Sequence, residues 1–146
     1  MKKEDILNVL KDKISEKILT FENLIAETRS SSNDTKSSMG DKYETGREML
    51  QQEINNLQGQ LNEIVKQRDF LKNLTVKPSL KVEKGALVKT DRGLFYISVS
   101  LSNIVVDGSN IFCISPGSPL AKALEGKTQS EIISLNNVRH KILEIL

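Results

Sequence analysis

The chain has 146 residues, 38% of them apolar and 27% charged, a composition typical of one folded domain or two small ones. Aromatic residues make up 4%, Trp is absent and the apolar runs are short, so we expect neither a membrane span nor a signal peptide. We therefore expect a cytoplasmic protein. One Cys and one His exclude an internal disulfide and argue against Cys-based zinc clusters and His-dependent catalytic triads. The net charge of +2 is too small to indicate a nucleic-acid-binding surface.

The composition changes near residue 75. All three prolines and five of the eight glycines lie after Leu74. Residues 1–74 carry 12 basic and 13 acidic side chains, whereas residues 75–146 carry 9 basic and 6 acidic ones, which gives net charges of −1 and +3. We therefore predict two modules, residues 1–74 and 75–146, with a boundary at Thr75 to Lys77.

Apolar residues of the first module recur at alternating spacings of three and four, the pattern of a coiled-coil seam. In the first helix the predicted seam comprises Leu7, Leu10, Ile14, Lys17, Phe21, Leu24 and Thr28. In a second helix, from about Lys42 to Leu74, it comprises Leu50, Ile54, Leu57, Leu61, Ile64, Arg68 and Leu71. The polar segment 30–40 interrupts the helical pattern, so we predict an antiparallel coiled-coil hairpin with a tip loop at about residues 30–44.

The second module has the period-two pattern of strands separated by turn residues. Three hairpins are predicted, and Ser118-Pro119 and Gly126 mark the ends of a short helix. The predicted strands are 87–90, 94–99, 103–106, 111–115, 132–135 and 138–146, with the helix at 120–125. The sequence therefore indicates an α+β fold in which a helical hairpin precedes a small antiparallel β domain with one short helix.

Most residues with reactive side chains have a simple structural interpretation. His140 lies in a predicted strand without a second His to share a metal ion, and we expect a surface or half-buried position for it. Cys113 alternates with Phe112 and Ile114, where a thiol behaves as a small apolar group, and we expect it in the core. The aromatic residues are too scattered to form a platform for stacking nucleic-acid bases.

Acidic residues gather in the tip loop. Asp41 and Glu44 are three residues apart, which places both carboxylates on one face if the second helix begins near them. One interpretation is a solvated loop whose acids cap the helix N-terminus. The other is an incomplete magnesium site, in which two or three carboxylates, Asp34 among them, share Mg²⁺ with water and a phosphate supplied by a partner.

Two motifs resemble the Gre family of bacterial transcript cleavage factors (GreA and GreB), and the resemblance spans nearly the whole chain. The segment from Ile114 to Lys127, ISPGSPLAKALEGK, looks like the family's C-terminal signature of a Ser-Pro pair, a short helix and a Gly-Lys exit. At the tip, Gly40-Asp41-Lys42-Tyr43-Glu44 is similar to the family motif of Gly-Asp, two residues and Glu. In a second register, Tyr43 and Arg47 match a Tyr-x-x-x-Arg pair and Asp34 takes the first acidic position.

The resemblance implies an FKBP-like β domain and a function in transcription elongation. Family members dock on bacterial RNA polymerase and insert the coiled coil into its secondary channel. There the tip acids, Asp41 and Glu44 or Asp34, would help hold a Mg²⁺ ion of the polymerase site and stimulate cleavage of backtracked RNA at its 3′ end. The resemblance also implies that the signature docks on the polymerase through Ser118, Pro119, Lys122 and Lys127. It implies that the factor alone has no activity, no tightly bound cofactor and no membrane partner. We expect a monomer.

Two other functions are compatible with the same residues. A Gre-like regulator could occupy the secondary channel without promoting cleavage. A helical-hairpin adaptor or a peptidyl-prolyl isomerase is a third hypothesis, and the isomerase is disfavoured because the β module offers only Phe95, Tyr96 and Phe112 for an aromatic pocket.

Overall fold

The computed structural model describes residues 2–34 and 42–146. Two long helices come first, followed by six strands and one short helix. The elements in chain order are α1 (Lys3–Asp34), α2 (Lys42–Lys72), β1 (Leu87–Thr90), β2 (Gly93–Ile97), β3 (Leu101–Val106), β4 (Ser109–Ile114), α3 (Pro119–Leu124), β5 (Ile132–Leu135) and β6 (Val138–Ile145). No helix in these described ranges has the length and apolar character needed to cross a bilayer.

The two long helices form the predicted hairpin, and each buries one stripe of side chains. The second helix matches its predicted seam, with Ile54, Leu61 and Ile64 buried. The first helix extends further into the predicted tip loop than the sequence indicated, since it continues to Asp34, whereas α2 begins at Lys42 as predicted. Serine disfavours a helix interior only mildly, so a run of serines does not by itself end a long helix.

The predicted seam of α1 is wrong at two positions. Ile18 and Ile25 are buried, whereas Lys17 and Leu24 are exposed. The spacings from Leu7 to Ile25 are three, four, four, three and four, so the seam shifts by one residue after Ile14 and isoleucine fills both disputed positions. At both positions the isoleucine one residue further along the chain, rather than Lys17 or Leu24, therefore lies on the buried side of α1.

The six strands form one sheet in the order β3-β4-β2-β1-β6-β5. The predicted β domain with one short helix is confirmed, with one correction. The sheet is mixed rather than wholly antiparallel, because β4 lies parallel to β2 while the other neighbouring pairs are antiparallel. The reason is topological: β3 pairs with β4 alone, so β4 of that hairpin occupies the place beside β2.

Turn residues account for the strand pairings. Asn136 and Asn137 have φ values of 51° and 67°, and Asp107 and Gly108 have φ values of 52° and 76°. Two consecutive positive φ angles give the tight turn whose twist matches a hairpin, and Asn, Asp and Gly adopt them at least cost. These two turns fix the registers of the β5–β6 and β3–β4 hairpins.

One face of the sheet packs against α3. Eight buried residues form this core, and Ala121 and Leu124 contribute the apolar side of the short helix. The other six are Val82, Ala86, Val88, Ile97, Ile133 and Ile142. Cys113 is buried in β4, which confirms its predicted core position.

Contacts between residues divide the chain into two compact units. The first comprises Met1–Lys11 and Asp69–Leu146, and the second comprises Asp12–Arg68. The first unit thus contains the sheet together with the beginning of α1 and the end of α2. The boundary near residue 75 follows the change of secondary structure and stays a prediction about domains.

Candidate functional site

The Ser-Pro motif begins α3 as the sequence predicts. Ser118 has extended backbone angles (φ −67°, ψ 153°), and its hydroxyl accepts a hydrogen bond of 3.2 Å from the Ala121 N–H. Pro119 occupies the first helical turn, where a missing N–H costs nothing. The Ser118 hydroxyl therefore serves as the helix cap, and the fold requires it whatever the segment binds.

The exit of α3 is held to a neighbouring segment by main-chain bonds. The Gly126 N–H donates to the Val82 carbonyl, and the Val82 N–H donates to the Lys127 carbonyl; the donor–acceptor distance is 2.8 Å in both bonds. Gly126 has a φ of 75°, the left-handed conformation that glycine adopts without strain. The backbone geometry therefore favours glycine at position 126, whereas Lys127 contributes only its main-chain carbonyl to this connection.

The four predicted docking residues differ in accessibility. Pro119 and Lys122 are exposed, whereas Ser118 and Lys127 are half-buried. Lys122 lies one turn after the helix cap and Lys127 lies beyond the helix end, so both ends of α3 carry a signature residue. The structure thus places these residues along one short helix, with Pro119 and Lys122 available to a partner.

A cleft of about 540 Å³ lies beside α3. Its apolar lining comes from Val82, Ile97, Pro116 and Ala121, and its charged lining comes from Lys81, Glu83, Lys84 and Glu125. The sequence did not point to residues 81–84, because their place beside α3 depends on the main-chain bonds at Val82 rather than on a local motif. The cleft carries both signs of charge, so its electrostatics select no particular ligand.

A turn after the cleft holds an acidic residue. The Glu131 carboxylate accepts hydrogen bonds from the Thr128 N–H and from the Thr128 hydroxyl. The bond from the Thr128 N–H is the main cause that lowers the pKa of this carboxyl. Glu131 is therefore an ionised residue that fixes the turn before β5.

The predicted acidic tip falls mostly outside the described residues. Asp34 is the last residue of α1 and Glu44 is the third residue of α2. Asp41 as a whole, and the side chains of Asp34 and Glu44, lie outside the described part of the chain. The magnesium site proposed for these three acids stays a prediction, and the helix bounds place two of them at the ends of α1 and α2 that meet the tip loop.

His140 is buried, which differs from the surface or half-buried position expected from the sequence. Its ring lies at the edge of the Phe95 ring, with centroids 6.0 Å apart and the planes at 72°. Across the ranges that the structure describes, no three His, Cys, Asp or Glu side chains lie close enough to hold a metal ion. His140 therefore serves as a packing residue.

A buried lysine is the clearest feature that sequence reasoning missed. The Lys3 ammonium group donates to the carbonyl oxygens of Lys77 (2.7 Å) and Leu146 (2.9 Å) and to the Ser79 hydroxyl (3.4 Å). Burial lowers the pKa of Lys3, and the nearby Glu83 carboxylate partly offsets this effect. The lysine joins the start of α1 to the segment before β1 and to the last residue of the chain.

Comparisons with known proteins give distant structural likenesses. No family model matches the chain, and no curated protein matches its sequence. A crystal structure of GreA factor homolog 1 (Gfh1) of Thermus thermophilus is similar at 16% sequence identity and a TM-score of 0.38, covering 93% of this chain and 94% of its own. Gfh1 of Thermus aquaticus is similar at 15% identity and a TM-score of 0.35, covering 92% of each chain.

Proposed function

We propose that this protein is a Gre-like transcription elongation factor that binds bacterial RNA polymerase and stimulates Mg²⁺-dependent cleavage of backtracked RNA. The observation that carries the proposal is the position of the tip motif. Helices of 32 and 31 residues flank it, and at 1.5 Å per residue each is about 45 Å long. Such a hairpin carries its tip acids far along a narrow channel, as the proposed function requires.

The chemistry proposed for the tip follows from its charge. A carboxylate pair offers too few ligands to enclose Mg²⁺, so the remaining ligands come from the polymerase and the RNA phosphate. When bound there, Mg²⁺ would activate water and stabilise the leaving oxygen of the phosphodiester. The part of the protein itself is to bring ionised carboxylates to that place, so the factor has no activity alone.

The α3 segment supports the docking half of the proposal. Its Ser-Pro start and Gly-Lys exit resemble the Gre signature and form a capped helix. This rigid helix presents Pro119 and Lys122 to solvent. We propose that these two exposed residues contact the polymerase, whereas Ser118 supports them through its capping bond and Lys127 lies at the margin of the contact.

The test is RNA release from a stalled, backtracked elongation complex of the cognate polymerase. The unchanged protein should shorten the RNA from its 3′ end in a Mg²⁺-dependent manner. Asp41→Asn and Glu44→Gln should abolish this stimulation without weakening polymerase binding, because each amide keeps the shape of the side chain and removes its charge. Glu53→Gln, on an exposed part of α2, is the matched control and should leave stimulation unchanged.

Asp34→Asn decides between the two registers of the tip. If it alone abolishes cleavage, Asp34 is the first acid and Glu44 is a residue of the helix start.

Lys122→Glu should weaken binding to the polymerase and lower cleavage in proportion. A chain that does not bind the cognate polymerase contradicts the whole proposal.

A specific departure from the family motif supports a second candidate. Thr45-Gly46 stands where the family commonly has Asn-Ala after the acidic Glu, and the tip loop is several residues longer and richer in serine. We therefore also propose a channel-binding regulator without cleavage activity. In the same assay it would release no RNA yet slow elongation by the cognate polymerase.

A further inference from the structure

The strand β5 forms one edge of the sheet, and within the described part of the chain some of its main-chain groups bond to no other main-chain group. The Lys141 N–H donates to the Asp91 carboxylate at a distance of 2.9 Å, and the Lys141 carbonyl accepts from the Asp91 N–H at 3.1 Å. The Arg139 carbonyl accepts from Arg92 Nε over 3.1 Å. These β6 residues therefore direct their main-chain groups away from β5.

The residues that face them on β5 follow from the register. Ile132 is opposite Lys141, and Ser134 is opposite Arg139. Hydrogen-bonded and non-hydrogen-bonded pairs alternate along an antiparallel ladder, so the N–H and C=O groups of Ile132 and Ser134 point outward from the sheet. Both residues are exposed, Ile132 to 54% of its surface.

Cations cluster on the same face of the sheet. Arg139 and Lys141 lie two residues apart on β6, which places them on one face beside Ile132 and Ser134. Within the described ranges, none of the basic side chains of this region forms an ion pair with an acidic side chain; these are Lys89, Arg92, Arg139 and Lys141.

Acids lie in the same region, and each keeps its negative charge. The Asp91 carboxylate accepts from the Lys141 N–H, the Glu131 carboxylate accepts from Thr128, and Glu144 is opposite Lys89 in the register. Arg139 and Lys141 are opposite the uncharged Ser134 and Ile132, so the positive charge next to β5 is that of these two side chains. The opposite face of β5 is apolar, because Ile133 and Leu135 belong to or pack against the core. A strand added beside β5 would therefore lie next to Ile132 and Ser134 on one face, with Arg139 and Lys141 one strand further in, and next to apolar residues on the other face.

We propose that the β5 edge binds an extended segment of a partner protein in which acidic and apolar residues alternate. The main chain of that segment would pair with Ile132 and Ser134, which is the β-augmentation mode of recognition. Its carboxylates would lie on the face of Arg139 and Lys141, and its apolar residues would extend the core face. A nucleic acid would match the charge but not the unpaired main-chain groups.

The test uses the ¹⁵N-labelled full chain and an end-blocked eight-residue peptide of alternating glutamate and valine. Amide chemical shifts should change at residues 132–135 on titration. A peptide of alternating lysine and valine should bind at least tenfold more weakly, and added salt should weaken binding of the glutamate peptide.

Two pairs of variants separate the main-chain contribution from the charge contribution. Ser134→Pro removes an outward N–H and no ladder bond, so it should weaken peptide binding at least tenfold, whereas Ser134→Ala should not. Arg139→Glu with Lys141→Glu should weaken binding to a similar degree. Lys13→Glu with Lys17→Glu, two exposed sites on α1, makes the same change of net charge and is the control. The spectra of all variants show whether the fold is kept.

Several results would overturn the proposal. The glutamate peptide could leave residues 132–135 unaffected at millimolar concentration, or Ser134→Pro could bind it as well as Ser134→Ala. Stronger shifts at the same amides with a single-stranded RNA would indicate a nucleic-acid surface, and concentration-dependent shifts without peptide would indicate a second copy of the chain. The polymerase plays no part in this experiment, so its outcome is independent of the proposed function.

Discussion

Two buried polar side chains in the unit that contains the sheet show opposite solutions to the same cost. A polar group removed from water destabilises the fold unless it finds a hydrogen-bond partner. Lys3 finds three oxygen acceptors, whereas the Tyr96 hydroxyl, also buried, has no partner within the described part of the chain. Opposite effects of substitution follow.

Replacing Lys3 should destabilise the protein. Lys3→Met keeps most of the apolar stem but leaves the Lys77 carbonyl oxygen without its donor and leaves the Leu146 oxygen with the Leu87 N–H alone. We expect the free energy of unfolding to fall by about 2–3 kcal/mol, as for other hydrogen bonds to charged groups. Urea denaturation at pH 7 measures this, with the exposed neighbour Lys2→Met as control. Equal losses in the two variants would show that the Lys3 contacts add no stability.

Replacing the Tyr96 hydroxyl should not destabilise the protein. Tyr96→Phe removes a buried group without a partner, so the free energy of unfolding should rise by about 1 kcal/mol at pH 7. Burial raises the pKa of Tyr96 to about 12 from the usual 10.0. Between these two pKa values the Tyr96 hydroxyl is deprotonated in the unfolded chain but still protonated in the folded one. The free energy of unfolding therefore falls as pH rises, by at most about 1.4 kcal/mol per pH unit.

The variant should lack that part of the alkaline loss. Urea midpoints of both proteins at pH 7, 9 and 11 are the measurement, since the difference between them should widen only above pH 10. A Tyr96→Phe protein that is less stable at pH 7 would mean that the hydroxyl has a partner, such as an ordered water.

At the scale of elements, the burial pattern of α1 gives a matched pair of adjacent residues. Ile18 is 9% exposed and Leu19 is 59% exposed. Ile18→Ala should lower the free energy of unfolding by about 2–4 kcal/mol, whereas Leu19→Ala should change it by less than about 1 kcal/mol. Thermal or urea unfolding followed by circular dichroism at 222 nm reports on the helices. Similar losses for both residues would place the seam on a different face.

The strands could be predicted because their signals are local. Asn136-Asn137 and Asp107-Gly108 tolerate the positive φ angles that the turns require, and the alternation of apolar residues set β1 and β5 at their observed bounds. The parallel pairing of β2 and β4 could not be predicted, since alternation shows which side is buried and not the direction of the neighbouring strand.

The seam and the site were less accessible to sequence reasoning. In α1, Leu24 and Ile25 both fit a helical spacing, and only packing decides between two adjacent apolar positions. Local chemistry correctly predicted the cap at Ser118, whereas the acids of the tip follow from a motif and stay a prediction. The Lys3 contacts join residues more than seventy positions apart, and no local pattern predicts such contacts.

At the scale of the whole molecule, the ends of the long helices belong with the sheet. The unit that contains the sheet includes Met1–Lys11 and the end of α2 from Asp69. Ile6, Leu10 and Leu71, in those helix ends, are fully buried. The ammonium group of Lys3 adds charged hydrogen bonds to the same unit. A fragment cut at residue 75 therefore loses part of its own core.

This arrangement predicts which shortened protein folds. A variant in which a Gly/Ser linker replaces residues 12–68 should keep the dispersed amide spectrum of the sheet and unfold cooperatively in urea, because every residue of the first unit remains. The fragment 75–146 should be less stable by several kcal/mol, since it loses three fully buried side chains that each contribute about 1.5–3 kcal/mol. If the proposed docking through α3 is correct, the linker variant should also bind the cognate polymerase. It should release no RNA from backtracked complexes, because the linker replaces the tip acids. Equal stabilities of the two shortened proteins would show that the helix ends contribute nothing to the sheet.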